Sequence, residues 1–222
     1  LQGVRGSAVL LASGRGSTES LGHLRRMLDR FDLTAAIRVP LGEEAPLGGV
    51  PHLALRAERV PNLAGATLLG YTAAWDEAVT AAREAALVVL VDEPLTAAEW
   101  DTVRHAGAVV VLSTLEGDGL EQADVVLPIT TMAEEYGTYI NHDHRLQRFL
   151  QAKSAPGMAR PAWWIAVEAL AIAEDQTEAP GSANEAFAVL SDHVPSLAGL
   201  TYQDIGFVGR TVTRDIPAGA GR

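Results

Sequence analysis

Four short apolar runs constrain the fold of this chain more than any other feature. They lie at residues 7–11, 87–91, 108–112 and 125–127. Runs of strand length that are apolar on both faces are typical of parallel strands covered by helices on both sides. Helices are predicted between these apolar runs, over residues 19–30, 76–84 and 96–105. The predictions rest on apolar residues at helical spacing or on residues that favour a helix start. The sequence therefore predicts an α/β fold, a mostly parallel sheet flanked by helices.

The second half of the chain departs from this alternation. One or two helical turns are predicted over 131–136, and an extended or looped segment over 137–147. Pro161 is placed to open a helix that reaches residue 174 and is apolar nearly all round. Residues 40–66 are rich in Gly and Pro and are predicted to be irregular.

The last part of the chain is predicted to lie outside the α/β domain. Residues 175–184 form a polar linker, 185–193 a short helix, and 196–208 an arm with apolar anchors but little periodicity. The final residues, 219–222, are expected to be disordered. We therefore expect an α/β domain over 1–174, a fragment of a longer subunit, followed by a linker, a short helix and an extended arm over 175–222.

Composition excludes several classes of function. The net charge of −11 argues against a nucleic-acid surface, which would need clustered Lys and Arg. The absence of cysteine excludes disulfides and cysteine-ligated iron–sulfur clusters within this chain. No apolar run approaches the roughly 18 residues of a membrane span, so no direct membrane insertion is expected.

Two short motifs suggest ligand sites, each with a structural alternative. Gly14-x-Gly16 follows the first strand, where a dinucleotide-binding turn would lie, but Glu19 stands at the third glycine position. A carboxylate at the helix start would repel a phosphate, so a plain strand-to-helix turn is the favoured interpretation. His142-Asp143-His144 offers two imidazoles and a carboxylate to a metal, but a third distant ligand would be needed, and a solvated loop is the alternative.

Polar residues between 134 and 147 allow two interpretations. Glu134, Glu135, Asp143 and Arg145 could serve acid–base chemistry, but no nucleophile or phosphate cradle accompanies them. We prefer a structural polar network that satisfies the backbone of an irregular segment. Its members are Glu134, Thr138, Asn141, Arg145 and Gln147.

Aromatic residues supply candidates for a partner interface. Trp163 and Trp164 are adjacent, so both cannot face one core, and Trp is enriched at interfaces. Tyr202 and Phe207 in the predicted arm are further candidates.

A resemblance to a known family appears in residues 123–165. It is carried by the run ADVVLP, then by Glu134, Gly137-Thr138, Asn141, Arg145, Gln147, Pro156-Gly157, Ala159-Arg160 and a tryptophan at 163 or 164. This order resembles the molybdopterin-oxidoreductase superfamily. Together with residues 65–71 and the C-terminal tail, it is most similar to the G-type large iron–sulfur subunit of respiratory complex I (NADH-quinone oxidoreductase). One departure is His144, which stands where the family has glycine.

The complex I resemblance implies a structural role in NADH-to-quinone electron transfer. The chain would hold no cofactor of its own, and iron–sulfur clusters would lie in the missing N-terminal part of the subunit. Its partners would be that N-terminal part and other subunits of the hydrophilic arm, on the cytoplasmic side of the inner membrane. The main alternative is a fragment of a formate-dehydrogenase-like molybdoenzyme that binds a pterin guanine dinucleotide. A third interpretation is a free-standing nucleotide-binding module.

Overall fold

The computed structural model describes residues 6–50, 53–175 and 179–212. The strands in this part are β1 (Ser7–Ser13), β2 (Asp32–Arg38), β3 (Ala45–Pro46), β4 (Ala54–Leu55), β5 (Leu87–Val91), β6 (Val109–Ser113), β7 (Val125–Pro128), β8 (Gly137–Ile140), β9 (Arg145–Phe149) and β10 (Arg210–Thr211). The α-helices are α1 (Thr18–Met27), α2 (Leu63–Leu68), α3 (Trp75–Ala82), α4 (Ala97–Val103), α5 (Ala162–Glu174), α6 (Ala183–His193) and α7 (Tyr202–Ile205).

The central sheet contains five parallel strands in the order β2-β1-β5-β6-β7. All four predicted apolar runs are strands of this sheet, so the predicted fold class is confirmed. After β1 the chain adds β2 on one side, returns across β1, and then adds β5, β6 and β7 on the other side. The direction of winding therefore reverses between β1 and β5.

Helices cover both faces of the sheet. Successive side chains of a strand point to opposite faces, so each strand contributes to both of the cores that these helices form. In β1, Ala8, Leu10 and Ala12 face a core built with α1, α5 and α6. Val9 and Leu11 face a second core built with α3 and α4. Both faces of β1 are therefore buried, which explains why its sequence does not alternate between apolar and polar residues.

Helix starts follow the capping residues in the sequence. Ser17 caps α1 and accepts a hydrogen bond from the Ser20 amide, and Thr96 with Glu99 forms a capping box on α4. Pro161, predicted at the first position of α5, stands one residue earlier, at its N-cap. The prediction that residues 40–66 are irregular is wrong in part, because they contain the β3–β4 ribbon and the start of α2. These elements are too short to produce a recognisable period.

The C-terminal segment is not an extended arm lying over a surface. Residues 195–197 form a 3₁₀ turn, α7 follows, and β10 pairs antiparallel with β9 beside β8. Phe187, Leu190, Leu197 and Ile205 are buried in the same core as α1 and α5. The described residues beyond 178 thus complete the core of the preceding part. Positions 176–178 of the predicted linker and the tail predicted to be disordered lie outside the described residues.

One face of the apolar helix α5 is covered by its own chain, whereas Ile172 on this helix is 70% exposed. Trp163, Ala166 and Val167 are buried against α1. Among the described residues, no helix is long and apolar enough to cross a membrane.

Two phenylalanines test whether the C-terminal segment stabilises the whole fold. Phe187 is fully buried, and its ring lies 5.4 Å from that of Tyr202, whereas Phe207 is 86% exposed. We expect Phe187→Ala to lower the free energy of unfolding by about 3–5 kcal/mol, the usual cost of deleting a buried phenyl ring. Phe207→Ala, the matched control, should change it by less than about 0.5 kcal/mol. Urea unfolding of both variants measures the difference; equal effects would mean that α6 is not part of the core.

Candidate functional site

A cavity of about 500 Å³ opens at the carboxyl edge of the parallel sheet. Residues that follow β1, β5, β6 and β7 line it, so it spans the position where the winding reverses. Open parallel sheets bind ligands at this position, because neighbouring connections leave the edge in opposite directions and open a crevice. The polar lining residues are Ser13, Arg15, Ser20, Asp92, Thr114, Thr130, Thr131, Glu135 and Tyr139.

The turn after β1 forms one wall of the cavity. Gly14 is required by packing, because a Cβ there would collide with Val60. Arg15 and Gly16 line the cavity. The buried Asn62 holds this turn: its Nδ2 donates to the Gly16 carbonyl at 2.9 Å, and its Oδ1 accepts from the Ile140 amide at 2.9 Å. The cavity wall is thereby tied to strand β8.

Glu19 does not face the cavity. Its side chain is 0% exposed, and its carboxylate accepts hydrogen bonds from the Thr138 amide at 2.8 Å, the Thr138 hydroxyl at 3.0 Å and the Tyr202 hydroxyl at 2.8 Å. Burial raises the pKa of Glu19 to about 7, and these hydrogen bonds oppose the shift. We expected the Glu19 carboxylate to repel a phosphate bound at the turn after β1. That expectation is wrong, because the carboxyl group points towards β8 and α7.

Glu135 is the buried carboxyl group that does line the cavity. Its side chain is 7% exposed and accepts a hydrogen bond from the Thr130 hydroxyl at 3.0 Å. Burial raises the pKa of Glu135 to about 8; bonding to Thr130 and Ser17 opposes the shift, and the charge of Glu19 adds to it. The cavity therefore contains an acid that is largely neutral at pH 7.

Asp92 occupies a second wall, at the end of β5. It has a left-handed backbone with φ 49°, which is unfavourable for a residue other than glycine. Its Oδ1 accepts hydrogen bonds from the amide and the hydroxyl of Thr114, the residue after β6. The ends of two neighbouring strands thus hold this carboxylate at the cavity.

The five residues predicted to form one polar network belong to separate groups. Glu134 accepts from the Thr131 amide and from Lys153 Nζ, at 2.9 and 2.8 Å. Thr138 binds Glu19 instead of Glu134. Gln147 is exposed and meets Tyr139 through strand pairing.

The remaining two members hold the turn between β8 and β9. Asn141 Oδ1 accepts from the amides of Asp143 and Arg145, at 3.0 and 2.9 Å. Arg145 Nε donates to the Val208 carbonyl at 2.8 Å. These side chains do satisfy loop backbone, but the structure does not bring the five together.

Two of the four partner-interface candidates are buried within the chain. Trp163 is 4% exposed and Tyr202 is 6% exposed, so both belong to the core and are wrong as interface residues. Trp164 is half-buried, and the Arg160 guanidinium lies 5.9 Å from its ring. Phe207 is the candidate whose side chain remains exposed.

The His142-Asp143-His144 motif does not assemble a metal site with other residues. His142 Nε2 lies 3.3 Å from Asp143 Oδ1, and the described residues contain no cluster of three side chains that could hold a metal. His144 has φ 56°, so it keeps the left-handed backbone that glycine adopts readily.

Sequence reasoning missed the site's main connections. Asn62 lies in a segment that is predicted to be irregular, and Glu19 is predicted to be a carboxylate at a helix start that would repel a phosphate. Their partners lie 78 and 119 residues away, and no local pattern indicates them. The run of Ser17, Thr18, Glu19 and Ser20 at a helix start was the available signal.

The raised pKa of Glu19 predicts a fall in stability with rising pH. Folded protein keeps a proton on Glu19 that unfolded protein loses above pH 4.5, so unfolding becomes easier until the pH passes about 7. At 1.36 kcal/mol per pKa unit, this group lowers the free energy of unfolding by about 2 kcal/mol between pH 5 and 7.5. We expect Glu19→Gln to remove that part of the slope in urea titrations, whereas Glu77→Gln, at an exposed helix position, should keep it. Identical slopes for all three proteins would contradict a titrating Glu19.

Comparisons with known proteins identify relatives of limited extent. One segment of 89 residues, 39% of this chain, is 39% identical to the alpha subunit of F420-dependent formate dehydrogenase 2 of Methanococcus maripaludis and covers 13% of that protein. A 48-residue segment, 22% of the chain, is 48% identical to a putative formate dehydrogenase of Bacillus subtilis and covers 5% of it. A 47-residue segment, 21% of the chain, is 45% identical to an iodate reductase subunit of Denitromonas iodatirespirans and covers 5% of it.

The chain matches 13% or less of the length of these relatives, so their activities do not transfer to it directly. The family match is more extensive. The sequence profile of molybdopterin oxidoreductases matches residues 11–171, which include the whole parallel sheet except the first part of β1. The chain therefore belongs to the molybdopterin oxidoreductase family.

Proposed function

We propose that this chain is part of a formate-dehydrogenase-like molybdopterin oxidoreductase and that its cavity binds part of a pterin guanine dinucleotide. The observation that carries the proposal is the cavity at the winding reversal of a sheet that matches this family. The formate dehydrogenases among the relatives support the choice of enzyme class. This proposal replaces the expectation that the chain has no cofactor of its own.

The residues of the cavity fit one half of such a dinucleotide. A volume of about 500 Å³ lies within the range of roughly 300–1,000 Å³ that is usual for small-molecule sites. Arg15 supplies a positive charge for a phosphate, and the hydroxyls of Ser13, Thr114 and Thr130 can bond to phosphate or ribose oxygens. The turn of Glu19 away from the cavity removes the negative charge that would oppose a phosphate there.

The chain's own residues would hold and orient the cofactor. Asp92 keeps lone pairs for hydroxyl or amino donors, while Thr114 fixes its position. The apolar lining of Leu21, Leu24 and Ile129 would exclude water from one side. When bound, the cofactor would supply the redox chemistry; the residues described here would set its position.

The complex I interpretation is the second candidate. It rests on the resemblance of the tail around Tyr202 and Phe207, and the exposed Phe207 is consistent with a neighbouring subunit of the hydrophilic arm. The relatives above favour the formate dehydrogenase class instead. The arm partners and the location at the inner membrane belong to this second candidate.

Cofactor content of the protein, purified from its source organism as its gene encodes it, tests the proposal. We expect about one molybdenum per chain and release of guanosine monophosphate (GMP) on acid hydrolysis. Arg15→Ala should lower both by at least tenfold without changing the melting temperature, because Arg15 is the basic residue among those that line the cavity and is exposed. Arg83→Ala, at an exposed position after α3, is the matched control and should retain both. Protein with iron but no molybdenum or pterin, and with NADH-quinone activity, would favour the complex I candidate.

A further inference from the structure

The β3–β4 ribbon presents an apolar face that the described part of the chain leaves open. Its strands pair antiparallel, with Ala45 opposite Leu55, and the Leu47 amide donates to the Leu53 carbonyl at 2.9 Å. Side chains of opposed residues project to the same face, so these four residues share one side of the ribbon. The three leucines among them are 46%, 56% and 48% exposed, in chain order. A two-stranded ribbon is at best marginally stable in water, so further strand pairing would stabilise this one.

The outer edge of β3 is protected against such pairing. Because the amides of alternate residues point to opposite sides of a strand, the nitrogen of Pro46 faces away from β4, and proline has no N–H to offer a neighbouring strand. Glu43 and Glu44 are exposed beside it, and no ion pair of the described residues includes either of them. Proline and unpaired charge are the features that keep sheet edges from associating.

The outer edge of β4 carries no such protection. The carbonyls of Leu53 and Ala57 accept hydrogen bonds from the opposite side of the ribbon, so the amides and carbonyls of Ala54 and Arg56 face away from it. Among the described residues this sheet contains β3 and β4 alone, and no further strand covers the edge. The Arg56 guanidinium is paired with Glu58 of the same strand, so the edge has no unbalanced charge.

The sequence around β4 is complementary to itself. In an antiparallel pair with a second copy that sets Leu55 opposite Leu55, Ala54 lies opposite Arg56, and Leu53 lies opposite Ala57. Each large side chain away from the axis thus meets an alanine. A shift that sets Arg56 opposite Arg56 would oppose like charges, which destabilises a strand pair.

We propose that this protein forms a two-fold dimer in which β4 pairs antiparallel with β4 of a second copy, giving a four-stranded sheet of two ribbons. Such a contact is isologous, because the same residues serve on both copies. Ala54 and Arg56 of opposite copies exchange both backbone hydrogen bonds, and the two Leu55 side chains meet at the axis, where opposed side chains lie closest. The contact is short, so we expect a weak dimer with a dissociation constant of about 1–100 μM.

Sedimentation velocity of the protein as its gene encodes it, over a range of concentrations, tests the dimer. Leu55→Lys should raise the dissociation constant at least tenfold, because it sets two ammonium groups opposite each other at the axis. Leu41→Lys is the matched control. It changes another exposed leucine of the ribbon, one that lies outside β4, and should keep the wild-type dissociation constant.

Two substitutions at one position test the register. Ala54→Glu sets a carboxylate opposite Arg56 of the second copy and should tighten the dimer by about two- to thirtyfold, the effect expected of two cross-strand ion pairs. Ala54→Lys sets an ammonium group there and should weaken it. Equal dissociation constants for these two variants would contradict the proposed register and overturn the proposal.

A cross-link locates the axis directly. The chain has no cysteine, and opposed strand residues are close enough for a disulfide, so oxidised Leu55→Cys should give a dimer whose linked peptide contains residue 55 twice. Leu41→Cys should not give a linked dimer.

Three further results would overturn the proposal. They are a protein that stays monomeric up to about 1 mM, a dimer that Leu55→Lys leaves unchanged, and cross-links from residue 55 to a different, co-purified polypeptide. The molybdenum content of the protein decides the proposed function independently of all these measurements.

Discussion

The Glu19 carboxyl group joins three parts of the chain that are far apart in sequence. It lies at the start of α1 and receives hydrogen bonds from Thr138 in β8 and from Tyr202 in α7, residues 119 and 183 positions away. The turn before α1 forms the cavity wall, so the position of the cavity depends on this contact. Removing any one partner would leave a buried acid with an unmade hydrogen bond. The free-energy cost of that unpaired group exceeds the net stabilisation that one hydrogen bond contributes.

The sheet could be predicted from the sequence, but the contacts of the site could not. The runs at β1, β5 and β6 are apolar on both faces, and few structures other than a covered parallel sheet accommodate such strands. The contacts of Asn62 and Glu19 join residues that are far apart in the sequence, and no local sequence pattern indicates such pairs. The hydroxyl-rich start of α1 is visible in the sequence, but the side of the helix that these hydroxyls face depends on the fold.

Aromatic residues illustrate the same limit. Tyr202 and Trp163 occur where the sequence lacks a clear amphipathic period, so nothing in the pattern contradicted their prediction as interface residues, although both are buried. In the structure Tyr202 packs on Phe187 and under the Arg148 guanidinium, 4.5 Å from its ring, while its hydroxyl reaches Glu19. A tyrosine can fill a core and satisfy a buried acid at once, and its tertiary neighbours alone decide that role.

Two features at the cavity lower the stability of the empty protein. No ion pair of the described residues includes Glu135, and Asp92 has a left-handed backbone with φ 49°, which glycine adopts more readily. Both line one cavity, and Arg15 lines it as well. Unfavourable features of this kind persist where a ligand uses them, because binding recovers what the empty site lacks. Glu19 and His144 share these features elsewhere in the fold, so it is the presence of both on one cavity wall that supports a ligand site.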